Sequence, residues 1–384
     1  MKNNRLYGLV FIALTFLFWL CAYPAVPIVS AYADSLGASS AMVGFIGGAY
    51  GLSMLIIRLP LGILSDKLGK RKIFIILGGL AALLGACIVL LTPSPATLFV
   101  FRTLCGVQAS AWVPFTVLYA HSYPPEQSAR AMAVLTTVYT ASQLVSMLAG
   151  GILADRFTYL APFALSAVGG VLFLMLSPMM REAPVKKAAA RAPLKDVLTR
   201  KLWLLTFAGI VFFYVKYATA YTFTPLIAKE LGASDAALGY LNTLYCLCGV
   251  GGCALSYKLA RRFGAAKTIA VSLAVLAVFS CFVVPFVPNL PILYATLGVS
   301  GFFTFLLDGL LGGLVILGVE ERRRSTAMGF YQALYGLGIL AGPVLSGRII
   351  ELSGRVTAYT VAGILACVCA AVILIYNRKE PIPC

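Results

Sequence analysis

Long apolar stretches, separated by short polar or charged clusters, follow one another along almost the whole chain. A helix needs ~20 apolar residues to cross ~30 Å of hydrocarbon. Twelve stretches approach or exceed that length, roughly 6–30, 40–61, 73–92, 96–120, 130–153, 159–180, 202–228, 236–257, 267–287, 291–318, 326–350 and 356–376. Lipid offers backbone groups no partners, so each stretch must close its hydrogen bonds within itself as a helix. The pattern predicts an all-α integral membrane protein with twelve transmembrane helices, called spans 1 to 12. Pro24 and Pro27 should bend the outer half of span 1, because each removes a backbone donor.

Composition excludes a soluble fold. The 384 residues are 61% hydrophobic and only 11% charged, against roughly 25% charged in soluble domains. A net charge of +17 would suit a nucleic-acid binder, but the placement of the charges points elsewhere. With the N-terminus inside, twenty-three of the 30 Lys and Arg residues fall in cytoplasmic segments, and only Arg156, Lys229, Arg348 and Arg355 lie outside. That asymmetry is the positive-inside signal. It puts both termini in the cytoplasm and makes the bilayer, not nucleic acid, the partner.

The cysteines lie inside spans except Cys384 at the tail. The pairs Cys246/Cys248 and Cys367/Cys369 are two residues apart, so their side chains diverge on a helix; they read as packing residues and not metal ligands. The run after Met1 is too long for a signal peptide. No phosphate-binding loop, zinc spacing or nucleophile elbow occurs. No cofactor, metal or enzymatic activity is expected.

The chain repeats itself at an offset of about 195 residues. Leu36 to Phe45, L-G-A-S-S-A-M-V-G-F, returns as Leu231 to Tyr240, L-G-A-S-D-A-A-L-G-Y. Tyr139 returns as Tyr335, Gly151 as Gly347 and Asp155 as Glu351. Two homologous six-helix bundles follow, 1–180 and 202–384, joined by a charged cytoplasmic linker at 181–201.

Between spans 2 and 3 stands G-I-L-S-D-K-L-G-K-R-K, Gly62 to Lys72. Such a cluster cannot sit in hydrocarbon and predicts a tight loop at the membrane surface. Gly62, Leu64, Asp66, Lys67, Gly69, Lys70 and Arg71 match a spacing that resembles the loop between helices 2 and 3 of the major facilitator superfamily. With the repeat, the resemblance extends over nearly the whole chain. It implies two pseudo-symmetric bundles, a substrate site at their interface near the midplane, and a cavity lined by helices 1, 4, 7 and 10. It also implies that Asp66 belongs to a charge network gating the cytoplasmic side; Arg130 is either its partner or an ordinary positive-inside charge. The second copy departs from the motif, with Tyr257 in place of Gly62 and Arg261 in place of Asp66. Arg102 to Gly106 resembles a motif of proton-coupled members. The helix 5 proline pattern of drug–proton antiporters is absent, with only its final glycines, Gly150 and Gly151, in place.

Charges at membrane depth cost at least ~2.5–3.5 kcal/mol and so mark functional candidates. Four qualify: Arg58, Arg102, Lys216 and Asp308. Lys216 lies ~21 Å and Asp308 ~15 Å from the inner end of its span at 1.5 Å per residue, within reach of a Lys side chain. They form either a structural ion pair or one broken and remade during transport. Asp308 is the expected proton-coupling carboxylate, since a neighbouring cation keeps an Asp ionised while desolvation favours its neutral form. Arg102, with no embedded acid in span 1 to meet it, reads as an anion-recognising guanidinium or as a backbone-bonding one. Arg58 reads as a brace for the loop below it. Tyr23, Gln108, Trp112, Tyr217, Asn242, Tyr331 and Tyr335, with Trp19 and Tyr245, could shape the pocket. His121 reads as a surface residue.

The function these features imply is secondary transport by alternating access across a bacterial inner membrane. Three embedded cations against one carboxylate favour a small organic anion, moved with protons or by exchange. Proton-driven efflux of hydrophobic drugs or metabolites is the alternative. The partners expected are a small-molecule substrate and a coupling proton or counter-substrate, with the chain acting as a monomer.

Overall fold

A computed structural model describes residues 2–120, 128–182, 197–380 and 382, all helical or in short connections, with no strand among them. Span 1 is α1 (Lys2–Leu20) and α2 (Val29–Ser35); spans 2 and 3 are α3 (Ser40–Leu68) and α4 (Arg71–Leu91). Span 4 is α5 (Pro95–Ser110) and α6 (Trp112–Ala120), and spans 5 and 6 are α7 (Ser128–Arg156) and α8 (Ala161–Leu176). Span 7 is α9 (Arg200–Lys216) and α10 (Thr224–Glu230), joined by a π-helical stretch, Tyr217–Phe223. Span 8 is α11 (Asp235–Phe263), and span 9 is α12 (Ala265–Leu276), continued by π-helical Ala277–Val283. Spans 10 to 12 are α13 (Leu290–Ile316), α14 (Glu321–Ser353) and α15 (Arg355–Lys379). Among the described residues, eleven helices are long and apolar enough to cross a membrane, and span 1 adds the shorter apolar helix Gly8–Leu20.

Local chemistry explains where helices stop. Ser94 and Thr97 cap α5 reciprocally, at 3.2 and 3.0 Å, and Thr199 and Asn289 cap α9 and α13 through their side-chain oxygens. Span 1 departs from the expected bend by breaking outright. After Cys21 the backbone turns tightly, with the Trp19 carbonyl accepting from both Ala22 and Tyr23, and helix resumes only at Val29. Two prolines three residues apart leave no run of donors long enough to carry the α-ladder between them.

The charged motif is also placed differently from the sequence reading. Gly62 to Leu68 form the last two turns of α3, and the loop proper is only Gly69 and Lys70, with Gly69 at φ +63°. Arg71, expected at the surface, is 3% exposed and opens α4. The Glu182 carboxylate accepts from the backbone N–H of Arg71 at 2.7 Å and of Lys72 at 3.0 Å. It therefore caps α4 and meets the positive end of its dipole. Lys72 reinforces the join by donating to the Pro178 carbonyl at 2.7 Å. The side chains of Asp66 and Arg130, His121, and most of the linker lie outside the described residues.

The chain separates into two compact units. The first holds Met1–Leu36, Leu52–Ala188 and Ser234–Tyr240; the second holds Gly37–Gly51, Ala189–Ala233 and Leu241–Cys384. The units are therefore interleaved in sequence. In the first, Gly150 lies against the Pro24 backbone and Gly151 against Gly239, which anchors the start of α11 there. In the second, the start of α3 packs on α14 through Gly44 and Pro343.

Candidate functional site

The second unit holds seven of the sequence-selected residues. Lys216 ends α9, 8% exposed, and its Nζ lies 3.3 Å from Asp308 Oδ2 on α13. The Asp308 side chain keeps 40% of its exposure, so the pair is dry on one side and open on the other. Four rings surround the ammonium, with centroids 5.6 Å away for Phe212, 5.3 Å for Phe213, 5.9 Å for Tyr221 and 5.0 Å for Phe305. Each ring face adds cation–π attraction, roughly 0.5–2 kcal/mol depending on desolvation.

Local spacing produces this cage. Phe212 and Phe213 stand four and three residues before Lys216 on α9, and Phe305 stands three before Asp308 on α13, which puts them on shared helix faces. Tyr221 is five residues after Lys216. An α-helix would turn it away; the π-helical stretch, with its i→i+5 bonds, brings it back under the ammonium.

Tyrosines extend the site. Tyr245 donates to Thr304 Oγ1 at 2.8 Å and sets its ring edge-on to Tyr221 and Phe305. Tyr217 opens the π-helical stretch, its ring 5.3 Å from Tyr221 and 6.2 Å from Tyr50. Tyr335 stacks on Phe213 at 4.1 Å and meets Tyr331 at 5.3 Å. Tyr331 is 3% exposed, and its hydroxyl has no hydrogen-bond partner among the described residues. Burying a hydroxyl without a partner costs about 1–3 kcal/mol. Asn242 is buried on α11 at 6% exposure.

The first unit gathers the remaining aromatic and amide candidates around the break in span 1. Trp19 meets Trp112 at 5.2 Å and Tyr139 at 4.8 Å, and the hydroxyls of Tyr23 and Tyr139 are 2.9 Å apart. Gln108, fully buried, donates to the Phe18 carbonyl. Trp19 Nε1, Gln108 Oε1 and Ser146 Oγ are buried without hydrogen-bond partners among the described residues. Arg102 sits six residues before Gln108 on α5, ~9 Å along the axis. No embedded acid was legible for it; in the structure it is 6% exposed and partnered. Arg58 is half-buried on α3 and also partnered.

Sequence reasoning missed the four-ring cage, Tyr139 and Glu182. Three cage rings carried the i−3/i−4 signal on either side of the pair. Tyr221 carried none readable with an α period.

Known proteins set these features in a wider frame. The family model described as Major Facilitator Superfamily matches residues 10–226 and 205–383. The chain is 25% identical over 383 residues to an uncharacterized MFS-type transporter, YceJ of Bacillus subtilis, covering 93% of each chain. It is 31% identical over 224 residues, 55% of each chain, to the multi-drug resistance efflux pump PmrA of Streptococcus pneumoniae. Its fold matches the crystal structure of a mutant of the nucleoside transporter NupG with a TM-score of 0.80 at 13% identity, over 96% of this chain and 99% of that one.

Proposed function

The chain belongs to the major facilitator superfamily, a multi-pass membrane transporter and not an enzyme, and on that premise we propose that it moves a small organic anion by alternating access, with Lys216 as the anion-binding cation and Asp308 as the proton carrier. The carrying observation is the asymmetry of the pair, an ammonium at 8% exposure held by a carboxylate at 40%. A substrate carboxylate arriving at Lys216 competes with Asp308 for the same ammonium. Asp308, released from its cation, is then free to take a proton, so anion and proton enter together. The partnerless Tyr331 hydroxyl supplies a hydrogen bond to the incoming anion. The excess of Lys and Arg in the cytoplasmic segments supports an orientation with both termini cytoplasmic; the membrane is a bacterial inner membrane, and the chain acts as a monomer.

A second reading is favoured by the cage itself. Aromatic faces beside a carboxylate form a receptor for an organic cation, with Lys216 as an internal occupant that a lipophilic cation displaces. The likeness to an efflux pump supports this alternative.

Counterflow in proteoliposomes separates the two. Labelled organic anions and lipophilic cations are compared in wild type, Lys216→Ala, Asp308→Asn and Arg102→Ala. Anion exchange that disappears in Lys216→Ala is the expected result. Cation transport that disappears only in Asp308→Asn overturns it in favour of efflux.

A further inference from the structure

Three residues before Phe305 on α13, α11 and α13 touch with no side chain between them: a Cβ at Gly252 would overlap the Phe302 carbonyl oxygen. From that crossing to the α11–α12 turn runs a groove of about 560 Å³. Leu306 forms its buried floor; Leu255, Phe263 and Val271, 40%, 54% and 56% exposed, form its rims. Thr268 and Ser272 also line it, but their hydroxyls donate to the Gly264 and Thr268 carbonyls of their own helix. The groove therefore offers a ligand almost nothing but hydrocarbon.

Its end at the α11–α12 turn is different in kind. Lys267 closes the groove, the Arg262 guanidinium lies 5.4 Å over the ring of Phe263, and Arg261 lies 5.8 Å over Tyr257. Lys258, Arg261, Arg262 and Lys267 fall within ten residues, and no acid occurs between Asp235 and Asp308. The ion pairs among the described residues involve none of the four. Gly264, at φ +89°, starts α12 without a side-chain cap, so first-turn N–H groups add to the positive end. In the homologous first turn, Asp66 stands where the second has Arg261; the second turn has lost its acid and kept its cations.

We propose that this groove holds one anionic phospholipid, its acyl chain against Leu255, Phe263 and Val271 and its phosphate at Lys267 and Arg262. An apolar channel ending in uncompensated cations selects an amphipath with a negative head. A soluble phosphate lacks the chain, and a zwitterionic lipid brings its own ammonium to the cations.

The test is native mass spectrometry of the delipidated full-length protein in detergent, titrated with phosphatidylglycerol, phosphatidylcholine of the same chains, or glycerophosphate. One phosphatidylglycerol should bind at least tenfold more tightly than phosphatidylcholine, with no retention of glycerophosphate. Arg262→Gln/Lys267→Gln should bring phosphatidylglycerol down to the phosphatidylcholine level. Val271→Trp, filling the groove from its exposed rim, should weaken phosphatidylglycerol at least tenfold, while Lys70→Gln/Lys72→Gln, an equal loss of charge elsewhere, should retain it. Equal binding of the two lipids, unchanged binding in Val271→Trp, or equal loss in the Lys70/Lys72 control each overturns the proposal. Gel-filtration profiles matching wild type establish that the variants are folded.

Discussion

The Lys216–Asp308 pair should respond very unequally to removal of one partner or the other. At 3.3 Å and an effective dielectric of 20, the mutual attraction is about 5 kcal/mol before desolvation is subtracted. Asp308→Asn strands an ammonium that is 8% exposed. Uncompensated buried charges cost roughly 3–5 kcal/mol, and the four aromatic faces return part of that, leaving a loss of about 2–4 kcal/mol. Lys216→Met keeps most of the packed stem and leaves a carboxylate still 40% exposed; its loss should stay near ~1 kcal/mol, as for partly solvated pairs. The double variant removes the stranded charge and should recover at least ~1 kcal/mol relative to Asp308→Asn alone. Thermal unfolding of the four proteins in one detergent, at one pH and salt concentration, reads the cycle directly. If Lys216→Met loses as much as Asp308→Asn, or the double variant falls below it, the burial asymmetry does not govern the pair.

Two further outcomes follow from packing and capping. Gly252→Ala drives a methyl into the Phe302 carbonyl and should lower stability by about 1–3 kcal/mol, while neighbouring Gly251→Ala, whose nearest atom would be 3.8 Å away, should be nearly silent in the same melt. Glu182→Ala takes the acceptor from the first two N–H groups of α4 and should lose about 1 kcal/mol, with faster amide exchange at Arg71 and Lys72, and Glu182→Gln should restore part of it.

The spans were legible because a bilayer imposes one length and one polarity on every crossing element. Depth along a helix is equally one-dimensional, so counting residues to Lys216 and Asp308 was enough to place them within reach. What resisted reading depends on contacts remote in sequence or on departures from the α period. The prolines of span 1 marked where the ladder weakens, but not that Trp19 would take two donors and end it. Glu182 caps a helix that begins 111 residues earlier in the chain, a pairing no local pattern encodes. The charged motif looked like a loop because its residues are polar, yet helix α3 runs through Leu68 and only Gly69 and Lys70 turn. The partition into units crosses the repeat boundary, because Gly37–Gly51 and Ser234–Tyr240 pack by close backbone approach and not by sequence neighbourhood.

The π-helical stretch after Lys216 makes the site depend on residue count as well as residue identity. Tyr217–Phe223 holds more residues per turn than α-helix, and that surplus lets the fifth residue after Lys216 share its face. Deleting one alanine there, Ala218 or Ala220, would let the ladder relax to ordinary α spacing. Tyr221 would then stand four residues after Lys216 and keep its face, since i and i+4 are neighbours on an α-helix. The wide turn is thus the means by which one extra residue is absorbed: α spacing with that residue kept would swing Tyr221 ~100° farther round the helix, off the ammonium.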